Sequence, residues 1–123
     1  MILILPHIPD KEMAFAQAHS YYPPLLDAGV KIYEYTPGFV HAKVFVSDDR
    51  KAVVGTINLD YRSLYHHFEC AAYLYKVPQV AEIEEDFNET LKKCQPMSKE
   101  DLKKDPVLRK LSGRLLKILA PLM

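Results

Sequence analysis

The sequence has 123 residues, of which 49% are hydrophobic and 26% are charged, so it can fold around a core of its own. Sixteen Lys and Arg balance sixteen Asp and Glu, which argues against a protein dedicated to nucleic-acid binding. Its two cysteines, Cys70 and Cys94, are too few for a disulfide framework and too far apart for a metal or redox pair, which favours a reducing compartment.

The first third of the chain predicts a strand, a helix and a second strand. The strands are Ile2–Leu5 and Val30–Tyr35, which are rich in apolar and β-branched residues. Asp10 is the expected N-cap of the helix, which should end or bend at Pro23 and Pro24. The strand-like start immediately after Met1 predicts that the chain belongs to a longer polypeptide, and no apolar run in it approaches the ~20 residues that span a bilayer.

The middle of the chain predicts three further strands. Val40–Val46 and Ala52–Val54 flank the polar turn 47–50 and form a hairpin, and Phe68–Tyr75 forms another strand.

The last third predicts helices. Pro78 opens an amphipathic helix that reaches Leu91, Ser98 caps a short charged helix, and Val107–Leu119 forms a final amphipathic helix. Helices that alternate with strands indicate an α/β or α+β fold, in which a sheet is flanked by helices. We expect a catalytic lobe over residues 1–95 and a helical extension over 96–123.

One constellation of polar residues predicts chemistry. An H-x-K pair is followed at fixed spacing by an Asp and then by a G-[ST]-x-N group, namely His41, Lys43, Asp48, Gly55, Thr56 and Asn58. On a strand, His41 and Lys43 project from one face, while Ala42, Val44 and Val46 project from the other. A coincidental match to six specified positions is improbable.

This pattern suits phosphoryl chemistry. A neutral histidine can attack phosphorus, and a second, protonated histidine can give a proton to the leaving alcohol. Lys43 would offset charge on the non-bridging oxygens, so this mechanism requires no metal ion or cofactor. Gly55, Thr56 and Asn58 would form a phosphate-positioning loop, and Glu69 could accept a hydrogen bond from the ring of His41.

The constellation resembles the HKD signature of the phospholipase D superfamily. The longer runs YYPPLLDAGVKIYEYTPGFVHAKVFVSDD and AVVGTINLDYRSLYHHFEC resemble the C-terminal half of bacterial cardiolipin synthases. This resemblance implies a partial phospholipase D-like lobe that lacks its first strand and helix. It further implies that His41 is the nucleophile or general acid, that Lys43 and Asn58 bind phosphate, that Asp48 is mainly structural and that Glu69 supports the nucleophilic histidine.

The resemblance also implies partners and a location. Active sites of the family pair two HKD motifs, so a second lobe of the same polypeptide or a homodimer mate should complete the site. The implied reaction moves a phosphatidyl group between two phosphatidylglycerol molecules through a phosphohistidine and releases glycerol. The full-length enzyme would lie at the cell membrane with its catalytic part on the cytoplasmic side, whereas this chain alone would be soluble and would bind no nucleic acid.

Several alternatives stay open at this point. The same covalent step with water as acceptor would make a phosphodiesterase or nuclease, and an isolated chain could be a non-catalytic module. Asp48 has the properties of a turn residue. We interpret His7, His19, His66 and His67 as non-catalytic, because none has a partner at metal-ligand spacing. The helix 107–119 could lie in an anionic membrane interface or pack its apolar stripe on the domain.

Overall fold

The computed structural model describes residues 1–122 and divides them into two compact units. Unit 1 comprises residues 1–40 and 93–120, and unit 2 comprises residues 41–92 with 121–122. In chain order the elements are β1 (Ile2–Pro6), α1 (Glu12–Asp27), β2 (Lys31–Tyr35), β3 (Val44–Ser47), β4 (Lys51–Gly55), a π-helical segment (Arg62–His66), β5 (Ala71–Tyr75), α2 (Gln79–Leu91), β6 (Cys94–Pro96), α3 (Lys99–Lys103), α4 (Val107–Leu119) and a 3₁₀ turn (Ala120–Leu122).

Unit 1 is built on a three-stranded sheet with the order β1-β2-β6. β1 and β2 are parallel, and β6 is antiparallel to β2. Tyr22 from α1, Ile32 from β2 and Leu102 from α3 form the buried centre of the unit. The helices therefore pack on a sheet, which confirms the predicted mixed α/β class. The predicted division at residue 95 stays a prediction about the organisation of the family lobe.

Helix α1 differs from its predicted form at both ends. It begins at Glu12 after Lys11, so Asp10 is not its N-cap, and it continues through Pro23 and Pro24 to Asp27. Two prolines remove two backbone donors, a cost of about 3 kcal/mol or more in a helix interior. Burial of Tyr22 just before them anchors this part of the helix in the core, so tertiary packing outweighs the local signal.

Unit 2 is built on an antiparallel sheet with the order β3-β4-β5, and α2 contacts all three strands. Asp48 and Asp49 form the hairpin turn with φ values of 56° and 53°. Aspartate tolerates this left-handed conformation better than most residues do, which explains its presence in the turn.

Two predicted strands are shorter than expected. The hairpin strand begins at Val44 instead of Val40, and the last strand of this sheet begins at Ala71 instead of Phe68. Strand pairing ends where Val44 faces Val54 and where Gly55 faces Ala71. His41 and Lys43 therefore lie in the irregular segment that leads into β3, and Glu69 lies in the one that leads into β5, which corrects the predicted placement of all three within strands.

The C-terminal helices follow the prediction. The side chains of Ser98 and Asp101 form a reciprocal capping box at the start of α3, and α4 has the predicted bounds. Within residues 1–122, no helix combines the length and the apolar character needed to cross a bilayer.

Candidate active site

His41 and Lys43 lie at the end of the β3–β4 hairpin that is remote from its turn. The backbone N–H of Gly55 donates to the carbonyl oxygen of Lys43 at 3.2 Å, which fixes Lys43 opposite the end of β4. The Lys43 ammonium donates to the carbonyl oxygen of His41 at 2.7 Å, and the His41 side chain is exposed. The pair therefore occupies an accessible edge of the unit 2 sheet.

Thr56 connects this edge to the segment that leads into β5. Its N–H donates to the carbonyl oxygen of Cys70 at 3.0 Å, and the Cys70 N–H donates to the Thr56 hydroxyl oxygen at 3.1 Å. The Thr56 hydroxyl donates to the carboxylate of Glu69. The residue that the sequence assigns to phosphate positioning thus also holds the carboxylate that the sequence assigns to histidine support.

The surroundings of Glu69 keep its carboxylate ionised. Hydrogen bonds from the hydroxyls of Thr56 and Ser63 lower the pKa of Glu69, and the ammonium of Lys43 lowers it further. Lys43 is therefore close enough to Glu69 to act on it electrostatically. The structure brings Lys43, Gly55, Thr56 and Glu69 together at one end of the sheet.

Ser63 also belongs to this group, although no motif in the sequence singled it out. Its backbone N–H donates to the Asp60 carboxylate at 2.7 Å, so Asp60 positions the start of the π-helical segment and aligns Ser63 with Glu69. A D-x-x-S spacing is a local capping pattern, which was the signal available in the sequence. π-helical turns occur frequently at functional sites.

The structure places Asp48 apart from the other predicted site residues. Asp48 is five positions beyond Lys43, with the four residues of β3 between them, which corresponds to roughly 16 Å along the strand. Its side chain is 72% exposed and lies 3.8 Å from the Lys51 ammonium. This position fits the turn role that the sequence also indicated for Asp48.

Asn58 lies in the exposed loop between β4 and the π-helical segment. It is three positions beyond Gly55, on the same loop as Thr56. Its predicted contact with phosphate stays a prediction, as does the pairing of His41 with Glu69.

Gly55 has a packing role in addition to its predicted one. A Cβ atom at this position would lie 2.3 Å from the Cys70 carbonyl oxygen and 2.5 Å from the Ala71 Cβ. Both atoms belong to the neighbouring chain segment, so they cannot move aside without disturbing the sheet. Only glycine permits this close approach of β4 and β5.

We therefore expect Gly55→Ala to destabilise the protein. Relief of the overlap requires the strands to separate, at a cost of about 1–3 kcal/mol in the free energy of unfolding. Urea denaturation of the unsubstituted protein and of Gly55→Ala measures the difference in their free energies of unfolding. Gly38→Ala is the matched control, because a Cβ at position 38 meets no atom within 4 Å. Equal stability of the two variants would contradict the packing role.

A second polar cluster lies in unit 1, where the sequence indicated no partners for its histidines. The ring nitrogens of His19 contact Glu34 at 3.0 Å and Asp105 at 2.7 Å. His7 donates to the other Glu34 oxygen at 2.8 Å, and the Tyr22 hydroxyl donates to Glu34 at 3.2 Å. His7 and His19 therefore have carboxylate partners that their spacing in the sequence did not reveal, and their interpretation as non-catalytic stays a prediction.

Electrostatics in this cluster favour a charged imidazole. Burial opposes the charge on His19, but hydrogen bonds to Glu34 and Asp105 outweigh burial and raise the pKa of His19. Burial likewise opposes ionisation of Glu34, but hydrogen bonds from His19 and His7 lower its pKa. Both ring nitrogens of His19 face carboxylate oxygens, so both must carry a proton to donate.

Comparison with known proteins identifies the class of this domain. The family described as "Cardiolipin synthase, PLD-like domain" matches residues 2–91. The chain is therefore a phospholipase D-like domain. More particularly, it belongs to the cardiolipin synthase PLD-like family.

Relatives that are named cardiolipin synthases agree with this assignment. The chain is 60% identical to an uncharacterized protein of Streptococcus mutans over 121 residues, which cover 98% of this chain and 26% of that protein. It is 38% identical to a cardiolipin synthase of a Geobacillus strain over 121 residues, with 98% of this chain and 24% of that protein covered. A Halalkalibacterium halodurans cardiolipin synthase is 45% identical over 85 residues, which cover 69% of this chain and 17% of that protein.

The chain thus spans about a quarter of the length of the curated relatives that it matches over nearly its whole length. No solved structure matches it.

Proposed function

We propose that this chain supplies one half of a phosphatidyltransferase active site, with His41 and Lys43 at its centre. The donor and the acceptor are both phosphatidylglycerol, and the products are cardiolipin and glycerol. The reaction takes place at the cytoplasmic face of the cell membrane. The proposal extends to this chain the cardiolipin synthase activity for which its relatives are named.

The observation that carries the proposal is the convergence of Lys43, Thr56 and Glu69 at the open end of the unit 2 sheet. They bring a cation, a hydroxyl and an ionised carboxylate to this end of the sheet, and the cation contacts the backbone of the exposed His41. The cation can offset negative charge on a phosphodiester, and the carboxylate can orient an imidazole. Nucleophilic attack on phosphorus requires both functions.

The proposed reaction has two balanced steps. In the first, a histidine nitrogen attacks the phosphorus of one phosphatidylglycerol, the phosphorus–oxygen bond to glycerol breaks, and a protonated histidine gives its proton to the glycerol oxygen. In the second, the glycerol hydroxyl of another phosphatidylglycerol attacks phosphorus. The phosphorus–nitrogen bond then breaks, and the proton of the attacking hydroxyl passes to the histidine that gave one earlier.

Two histidines are needed, and the chain contains one H-x-K motif. We therefore propose that His41 takes one of the two roles and that a histidine of a second lobe, or of a second copy, takes the other. Lys43 would bind the non-bridging oxygens together with Asn58, whose amide can donate to phosphate.

The test uses a chimera in which this chain replaces the matching 121 residues of the Geobacillus cardiolipin synthase. The chimera should convert labelled phosphatidylglycerol into cardiolipin and glycerol. Phosphatidic acid as the main product would assign hydrolysis in place of transfer. A folded chimera without either product would contradict the proposed activity.

Within the chimera, we expect Lys43→Met to lower kcat by about 10²–10³-fold, because one preorganised donor to the phosphate oxygens is lost. Methionine keeps much of the length of the lysine stem and removes the charge. Lys51→Met is the matched control, since Lys51 lies near the turn end of the same hairpin. Equal activity of the two variants would exclude Lys43 from phosphate binding.

A further inference from the structure

Helix α4 presents an apolar stripe that the fold of this chain leaves exposed. The stripe consists of Leu108, Leu111, Leu115 and Ile118, which follow one another at spacings of three and four residues. Their exposed fractions are 77%, 65%, 60% and 75%. The stripe therefore does not pack on unit 1, contrary to one of the two interpretations that the sequence left open.

A different face of α4 makes the contact with unit 1. Gly113, Leu116 and Ala120 are buried, and α4 packs closely along α1. A Cβ at position 113 would lie 2.3 Å from the Ala16 carbonyl oxygen, so glycine is what allows the two helices to approach. Because this close contact fixes the rotation of α4, the orientation of the stripe away from unit 1 is set by the fold.

Basic residues border the stripe. Helix α4 contains Arg109, Lys110, Arg114 and Lys117 and no acidic residue. At 100° per residue, Lys110, Arg114 and Lys117 lie on the helical wheel between the buried face and the stripe. Arg114 is exposed there, while Lys110 donates to the Lys103 carbonyl oxygen at 2.7 Å and the Lys117 ammonium lies 4.4 Å from the centre of the Tyr21 ring. Arg114 can therefore reach a surface on which the stripe rests, and the two lysines can do so once they leave these contacts.

The cationic border continues onto the neighbouring helix α3. Lys99 and Lys103 join Lys110 and Arg114 in lining a cavity of about 360 Å³ in unit 1. Carboxylates offset part of this charge, since Lys99 pairs with Asp27 and Lys103 lies 4.0 Å from Glu100. The arrangement next to the stripe is nonetheless predominantly basic.

We propose that the stripe of α4 docks on an anionic phospholipid membrane, with its leucines in the acyl-chain boundary and its basic border on the headgroup phosphates. Helices that lie in a membrane interface combine an apolar face, which enters the acyl-chain boundary, with cations, which bind anionic headgroups. A second copy of the chain fits less well, because another α4 would add cations without adding a carboxylate. The proposal is independent of the transfer reaction, since binding can be measured without turnover.

Vesicle flotation of this chain tests the proposal. We expect binding to vesicles of phosphatidylglycerol and phosphatidylcholine, and much weaker binding to pure phosphatidylcholine. The triple variant Leu111→Gln/Leu115→Gln/Ile118→Gln should weaken binding at least about a hundredfold. It removes three aliphatic side chains that the bound membrane would partly bury. Ile8→Gln/Met13→Gln is the control, because these residues are exposed elsewhere in unit 1.

The basic border is tested separately. Lys110→Gln/Arg114→Gln/Lys117→Gln should weaken binding to the anionic vesicles about tenfold to a hundredfold, and about 1 M salt should weaken the unsubstituted chain similarly.

Two outcomes would overturn the proposal. One is binding of this chain that the glutamine substitutions in the stripe leave unchanged. The other is self-association through the stripe, detected by sedimentation, without binding to vesicles. Loss of catalysis in the chimera with retained stripe-dependent binding of this chain would count against the proposed function alone.

Discussion

Replacement of His41 by Asn in the chimera is expected to reduce cardiolipin formation on the order of 10⁴-fold or more. A residue that forms or resolves the covalent intermediate has no substitute in the site, and removal of one member of a catalytic unit can cost nearly as much as removal of all its members. Asparagine retains a polar group of similar reach, so the exposed position of His41 should tolerate it without loss of stability. Product formation from labelled phosphatidylglycerol measures the effect.

The same variant can reveal which role His41 takes. The role can be read with a phosphatidyl donor whose leaving group is p-nitrophenol, because this leaving group departs as the phenolate without a proton from a general acid. If His41 is the general acid, the variant should form the covalent intermediate from this donor and accumulate it. If His41 is the nucleophile, the variant should release no p-nitrophenol. His66→Asn is the control, because His66 contacts the Pro121 carbonyl oxygen outside the proposed catalytic group. Full activity of His41→Asn on phosphatidylglycerol would exclude both roles.

Replacement of Glu34 by Gln is expected to lower the free energy of unfolding by about 3–5 kcal/mol, because it leaves a buried imidazolium with one of its two carboxylates missing. The Glu34 side chain is 2% exposed and the His19 side chain 8%, so little solvent screens the pair. Urea denaturation at pH 6 measures the loss. Glu85→Gln, on the exposed surface of α2, is the matched control and should change stability by at most a few tenths of a kcal/mol.

The same cluster predicts how stability depends on pH. The pKa of His19 is raised in the folded protein. The contribution of His19 to the free energy of unfolding is therefore complete below pH 6.5, the ordinary pKa, and is lost as the pH rises through the pKa of the folded state. The pKa of Glu34 is lowered in the folded protein. The contribution of Glu34 to the free energy of unfolding is therefore complete above pH 4.5, the ordinary pKa, and is lost as the pH falls through the pKa of the folded state. Stability from this cluster should therefore be greatest between pH 4.5 and 6.5.

Two further donors share the carboxylates that contact His19. Arg109 donates to Asp105 at 3.2 Å, and His7 donates to Glu34. We expect His19→Gln to remove most of the decline in stability above pH 6.5, whereas His66→Gln should leave the decline unchanged. A His19→Gln profile parallel to that of the unsubstituted protein would show that His19 is not charged in the folded state.

The sequence by itself determined the features that depend on near neighbours. The spacing of His41, Lys43 and Asn58 is a property of one short stretch, and it led to the family that the comparisons confirm. The cap at Ser98 and the extent of α4 were likewise predicted from the sequence, because capping and helical periodicity depend on residues three or four positions apart.

Only the tertiary structure decided the features that depend on residues distant along the chain. Thr56 and Glu69 are 13 positions apart and His19 and Asp105 are 86 apart, so no local pattern could pair them. The passage of α1 through Pro23 and Pro24 depends on burial of Tyr22 against other elements. The exposure of the α4 stripe depends on the contact of Gly113 with α1, because close packing of two helices fixes which face of each remains outside.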